Sequence, residues 1–84
     1  MVNENFKKSA ELMLSPNYKT RFIAEHMQLK ERCESLKTML DKYIAGTLDY
    51  VPSCSVIMLS GQLAYMESYL NVLEERAKIE GISL

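Results

Sequence analysis

Glycine and proline are scarce in this chain, three and two among 84 residues, and 48% of the residues are hydrophobic and 25% charged. That composition excludes a disordered or low-complexity chain and is that of a globular helical protein. Cysteine is nearly absent. Cys33 and Cys54 are too few and too far apart to make a zinc ligand set, so two free thiols in a reducing compartment are expected. Charge of one sign is missing as well: ten Lys and Arg against eleven Asp and Glu leave −1, and no bulk field draws the chain to nucleic acid or anionic membrane. Any anion site has to be local. No apolar run approaches the roughly 20 residues that cross a bilayer, because Arg21, Lys30, Arg32 and Asp41 interrupt one long segment and Glu67, Glu74 and Arg76 the other. Met1 to Lys8 lacks the hydrophobic stretch and cleavage site of a secretory signal, so a cytoplasmic location is expected. There is a single histidine and no GxSxG, HExxH, P-loop or GxGxxG, and Glu74 and Glu75 diverge on a helix. The expectation is a protein without catalytic residues, metal or cofactor.

What is present is heptad periodicity. Phe22, His26, Leu29, Cys33, Leu36, Leu40 and Tyr43 follow alternating steps of four and three, and so, from a step of three, do Val56, Leu59, Leu63, Met66, Leu70, Leu73 and Ala77. Ser15 with Pro16 marks a start for the first helix and Gly46 its stop; Pro52 and Ser53 start the second and Gly81 stops it. The link from Gly46 to Ser53 is too short for anything but antiparallel neighbours. Phe6, Ala10, Met13 and Leu14 lie at helical spacing within Asn3 to Leu14, which predicts a short helix ended before Pro16. The predicted fold is all-α: an antiparallel two-helix hairpin with helices over 16–45 and 53–80, preceded by a short N-terminal helix over 3–14, in one domain spanning 1–84.

A core of this size is marginal on its own. Beside its seam the second long helix carries Met58, Gln62, Tyr65, Tyr69, Val72, Arg76 and Ile79. One partner helix covers one stripe, so Tyr65, Tyr69, Val72, Arg76 and Ile79 are the expected interface of a homo-oligomer. Lys30 with Glu34, Lys37 with Asp41 and Glu74 with Lys78 stand at i,i+4 spacing as outer-face pairs. His26 falls on the seam, either as an ordinary core histidine or as a group that bonds across the hairpin. The six methionines fill core gaps or soften a partner surface. Among five tyrosines, Tyr18 stands with Lys19 and Arg21 in the first turns of a long helix, where free N–H groups and the helix dipole favour anions. These three are the candidate ligand-binding residues; the alternative is a tyrosine packed on the hairpin end beside two solvated cations.

The strings NYKTRF at 17–22, LKERCESLKTML at 29–40, AGTLDY at 45–50, PSC at 52–54, LSGQL at 59–63 and YLNVLEERAKIEGI at 69–82 together resemble a small phage and prophage protein family named after a gene product of a crAss-like phage. Ser55 stands where that family often has proline, which leaves the start of the second long helix open. In architecture such hairpins are similar to the anti-CBASS sponge proteins, oligomers that trap cyclic nucleotide signals between subunits. The likeness implies a non-enzymatic oligomer that sequesters a nucleotide-derived immune signal, of cyclic nucleotide or ADP-ribose type, with Tyr18 or another tyrosine stacking and Lys19 and Arg21 holding phosphate. A second expectation, of another class, is an oligomeric protein–protein interaction module docking through the Tyr65 to Ile79 face. Nucleic-acid binding is the weakest reading, since the charge is balanced and basic residues are spread over both long helices.

Overall fold

The computed structural model describes residues 3–84; Met1 and Val2, where the stretch read for a secretory signal begins, lie outside the described residues. Among the described residues there are three helices and no strand: α1 (Glu4–Met13), α2 (Tyr18–Ala45) and α3 (Val56–Glu80). At about 1.5 Å per residue α2 runs roughly 42 Å, which accounts for the longest dimension of the molecule, 43 Å. α1 and α3 both pack on α2 and do not pack on each other. The remaining dimensions, 29 and 17 Å, describe a flattened plate, and the radius of gyration of 15.0 Å exceeds the ~12 Å of a compact chain this long. None of the helices is long and apolar enough to cross a membrane.

Local chemistry sets the helix ends, in places against the sequence expectation. α2 begins at Tyr18 and not at Pro16: Asn17, not Ser15, is the N-cap, its Oδ1 accepting from Lys19 N at 2.9 Å and Thr20 N at 3.3 Å. Ser15 instead turns the chain before the helix, its Oγ accepting from Asn17 N at 3.1 Å. α3 begins at Val56 and not at 53, with Ser55 as N-cap accepting from Met58 N at 3.1 Å. The start that the sequence left open is thus fixed by the Ser55 hydroxyl, an acceptor that proline could not offer. Gly46 (φ 73°) and Gly81 (φ 70°) end the long helices in the left-handed region, as their spacing predicts. Beyond each, an amide reaches five residues back: Thr47 N to Lys42 O at 2.9 Å, and Ile82 N to Ala77 O at 2.8 Å. The second of these turns folds Ile82 back into the core.

The heptad seams meet as read. On α2, Phe22, His26, Leu29, Cys33 and Leu40 are buried and Leu36 and Tyr43 half-buried; on α3, Leu73 and Ala77 are buried and the other five seam residues half-buried. The densest core is Phe22, Leu29, Cys33, Leu73, Ala77 and Ile82, at the end of the hairpin away from its connecting loop. His26 crosses the seam, its Nε2 3.2 Å from Glu74 Oε1. That contact takes Glu74 away from Lys78, which pairs with Glu75 at 3.1 Å instead. Lys30–Glu34 and Lys37–Asp41 form no ion pair among the described residues. Both cysteines are free; burial, helped by Glu67 and Glu34, pushes the Cys33 thiol above its ordinary value, and Cys54 is exposed.

α1 docks on α2 of its own chain with a face different from the one its apolar spacing indicates. Ser9 is fully buried and Phe6, Leu12 and Met13 are half-buried, whereas Ala10 is exposed and Leu14 is 86% exposed. The small side chain of Ser9, its Oγ bonded to Phe6 O at 3.0 Å, sits where a close approach to α2 needs little bulk. At the far end Glu31 of α2 clamps the first turn of α1, accepting from Asn3 Nδ2 at 2.7 Å and Asn5 Nδ2 at 3.1 Å. Leu73→Ala should destabilise the protein by about 2–5 kcal/mol and Leu14→Ala by no more than about 0.5 kcal/mol, measured by urea unfolding followed by circular dichroism. Equal losses from both would contradict the docking described.

Candidate ligand-binding groove

Because α1 and α3 lie on opposite sides of α2, each flank of α2 stays open. One flank carries Arg21, Glu25, Gln28, Arg32, Ser35 and Met39, positions three or four apart and so on a single face. Three clefts run along it, sharing residues at their joins. The first, about 260 Å³, lies at the start of α2 among Met13, Tyr18, Arg21, Phe22, Glu25 and Arg76. The second, about 170 Å³, places Gln28 and Leu29 between Glu25 and Arg32, with Tyr69 as its wall from α3. The third, about 370 Å³, has Arg32, Ser35, Leu36 and Met39 as its floor, Phe6 of α1 on one side and Gln62 and Met66 of α3 on the other, and Tyr50 of the connecting loop at its end. Glu25 borders the first two and Arg32 the last two, so the clefts lie in a row along more than 20 residues of α2, roughly 30 Å, and together form the candidate groove.

The sequence candidates divide on this geometry. Tyr18 and Arg21 line the first cleft; Lys19 does not. Residues two apart on a helix diverge by about 200°, so Lys19 and Arg21 cannot face one ligand. The helix N-terminus offers less than expected too, since the Lys19 and Thr20 amides already donate to Asn17. Arg76, read from sequence as an interface residue, instead joins Tyr18. Its Nη2 donates to Tyr18 Oη at 2.8 Å, its Nε to Glu80 Oε2 at 3.1 Å, and its guanidinium lies 5.0 Å over the Phe22 ring. Tyr18 Oη donates in turn to Glu80 Oε1 at 2.8 Å, and the Tyr18 and Phe22 rings meet edge-on at 6.2 Å. Arg21 Nη1 donates to Ser15 O at 2.9 Å.

The surplus stripe of α3 resolves into two rows with a spacing of seven. Gln62, Tyr69 and Arg76 border the groove, and Met58, Tyr65, Val72 and Ile79 stand outside it at 65%, 80%, 56% and 84% exposure. All three arginines of the chain, Arg21, Arg32 and Arg76, line the groove, and none of its lysines does. Arg32, Phe6, Tyr50 and Gln62 were not singled out as ligand-site residues from sequence. One signal was available: Arg21 and Arg32 are eleven apart, close to three helical turns. No three His, Cys, Asp or Glu side chains among the described residues gather into a group able to hold a metal ion.

The fold and groove define a class: a small all-α protein of three helices, with an open cleft lined by guanidinium groups and aromatic rings. Residues 16–79 match the family model described as Sequestin, and the chain belongs to the Sequestin family. No curated protein matches it, and no solved structure does.

The Tyr18 hydroxyl is held above the ordinary tyrosine value, first by its hydrogen bond to the Glu80 carboxylate and then by partial loss of water, with the Arg76 charge pulling the other way. Ionisation would set two anions in contact, so the link persists below the usual tyrosine value of about 10 and is lost as pH rises through the raised one. A tyrosinate absorbance titration should show a late component, absent in Tyr18→Phe and moved down in Glu80→Gln. A wild-type curve without that component would refute the link.

Proposed function

We propose that this protein binds and sequesters a nucleotide-derived immune signal, as a non-enzymatic, phage-type anti-defence sponge working as a homo-oligomer in the cytoplasm of an infected or lysogenic bacterium. The observation that carries the reading is the placement of every arginine, and no lysine, along one groove interleaved with aromatic side chains. Guanidinium groups suit phosphate by their forked, weakly hydrated geometry and stack on rings, where an ammonium acts only as a point charge. The family's name, which denotes sequestering, supports the same reading. The ligand is of the cyclic nucleotide or ADP-ribose type. Its phosphates lie among Arg21, Arg32 and Arg76, and a tyrosine of the groove stacks on a base.

The oligomer is supported by apolar surface that the chain leaves uncovered. Domains normally bury their apolar faces between packed layers, and α3 packs on α2 alone. The Met58, Tyr65, Val72 and Ile79 row is the apolar surface a second copy would cover. That same row supports the alternative reading, an interaction module for another protein; ligand binding that is lost in Arg21→Ala and retained in Tyr65→Glu separates the two.

Isothermal titration against cyclic dinucleotides and ADP-ribose derivatives should find at least one saturable ligand, weakened by roughly tenfold or more in Arg21→Ala and by added salt. Silence across the panel would sink the proposal. In sedimentation at micromolar concentration the wild type should run larger than one chain and Tyr65→Glu as a single chain; a monomeric wild type would refute the assembly.

A further inference from the structure

The polar groups at the two ends of the groove are in different states. At the Tyr18 end they are spent on one another: Arg76 on Glu80 and Tyr18, Tyr18 on Glu80, Arg21 on the Ser15 carbonyl. At the loop end they are not. The side chains of Arg32, Ser35 and Tyr50 make no hydrogen bond or ion pair with any described residue, and the Gln62 amide reaches only Met66 Sδ, a weak acceptor, at 3.7 Å. Size points the same way. Pockets that hold small molecules run from about 300 to 1,000 Å³, a range that includes the 370 Å³ cleft at the loop end and not the 260 Å³ cleft at the Tyr18 end.

We infer that the cleft between Phe6, Arg32, Tyr50 and Gln62 is the seat of a purine nucleobase of adenine type, a site that rests on the nucleotide-binding reading above and adds to it which end of the groove holds the base. Tyr50 and Phe6 both line this open cleft, so a planar ring entering it meets aromatic carbon, and base–aromatic stacking tolerates any such ring. Gln62 supplies the edge contact. A carboxamide offers one donor and one acceptor side by side, the complement of adenine N7 and its exocyclic amine. Arg32 borders both this cleft and the next one toward Arg76, which puts its guanidinium between the base and the phosphates that follow it. Met66 and Met39 complete the apolar lining.

The test is an NMR titration of the full chain with adenosine 5′-monophosphate, with ribose 5-phosphate and inosine 5′-monophosphate as comparators, reading the Met39 and Met66 methyl signals and the Gln62 side-chain amide. Adenosine monophosphate should move all three, ribose 5-phosphate should leave the methyls in place, and the inosine compound, with a carbonyl for the amine, should bind more weakly. Tyr50→Ala should weaken adenosine monophosphate by about 5- to 100-fold, and Tyr50→Phe should retain it. Tyr50 is 56% exposed in a loop, so its replacement leaves the helical core untouched. Shifts confined to the Tyr18 and Phe22 end, or unchanged affinity in Tyr50→Ala, would overturn this seat and leave the sequestering function standing. A wild type that binds neither adenosine monophosphate nor any member of the titration panel would overturn both.

Discussion

α2 has two neighbours and gives them opposite sides. Phe22, His26, Leu29, Cys33 and Leu40 form the stripe toward α3, and at about 100° per residue Ala24, Met27 and Glu31 fall close to the reverse side, toward α1. Bulk separates the two contacts. The α3 side interlocks leucines, phenylalanine and a methionine, while the fully buried residues toward the α1 side are small, Ser9 on α1 and Ala24 on α2. Had α1 docked on a flank, the three helices would have closed around a common core as bundles do. Docked opposite, α1 and α3 leave both flanks of the longest helix in contact with water.

Those flanks differ in their chemistry. One presents Arg21, Gln28, Arg32 and Ser35 with a single acid, Glu25; the other presents Lys19, Lys30, Glu34, Lys37 and Asp41, cations and acids in near balance. Each set sums to +1, so what sets the groove apart is the kind of cation: it keeps a guanidinium track, where the other flank keeps ammonium groups. The track is partly guarded. Glu80 occupies the Arg76 guanidinium, so an incoming phosphate at that end competes with a carboxylate already in place, whereas Arg32 has no described partner to give up. An anion entering the groove would therefore find the loop end the less encumbered.

How much of this was legible in the sequence depends on whether a feature is set by one helix or by two. The seams were legible, because an apolar residue at every third or fourth position reports burial without knowledge of the partner, and all fourteen seam positions are buried or half-buried. The glycine stops were legible for the same reason, since φ above zero is a local demand. The starts were misplaced by two to three residues, because Ser15 and Asn17, or Ser53 and Ser55, are equally good caps in isolation and only the formed helix selects between them. The face of α1 was misread because burial there follows a small polar residue, Ser9, and not the apolar Ala10 and Leu14. Sequence adjacency put Tyr18, Lys19 and Arg21 together, whereas the helix places Tyr18 and Arg21 on the first cleft and turns Lys19 to the other flank. Arg76 and the Arg32 cleft required knowing that α1 and α3 flank α2 on opposite sides, which neither segment encodes alone.

The plate geometry also bears on what a second copy would do. A ligand lying in a groove floored by one helix and walled by two keeps one side in water, whereas tight small-molecule sites bury about 70–90% of their ligand. Depth cannot be gained within the chain, because the floor is α2 itself and the molecule is 17 Å thick. It can be gained only by a lid from outside. The row of Met58, Tyr65, Val72 and Ile79 stands beside Gln62, Tyr69 and Arg76 on the same helix, so a copy seated on that row lies next to the groove. Apolar contact between chains and enclosure of the ligand are then one event, and each strengthens the other by linkage.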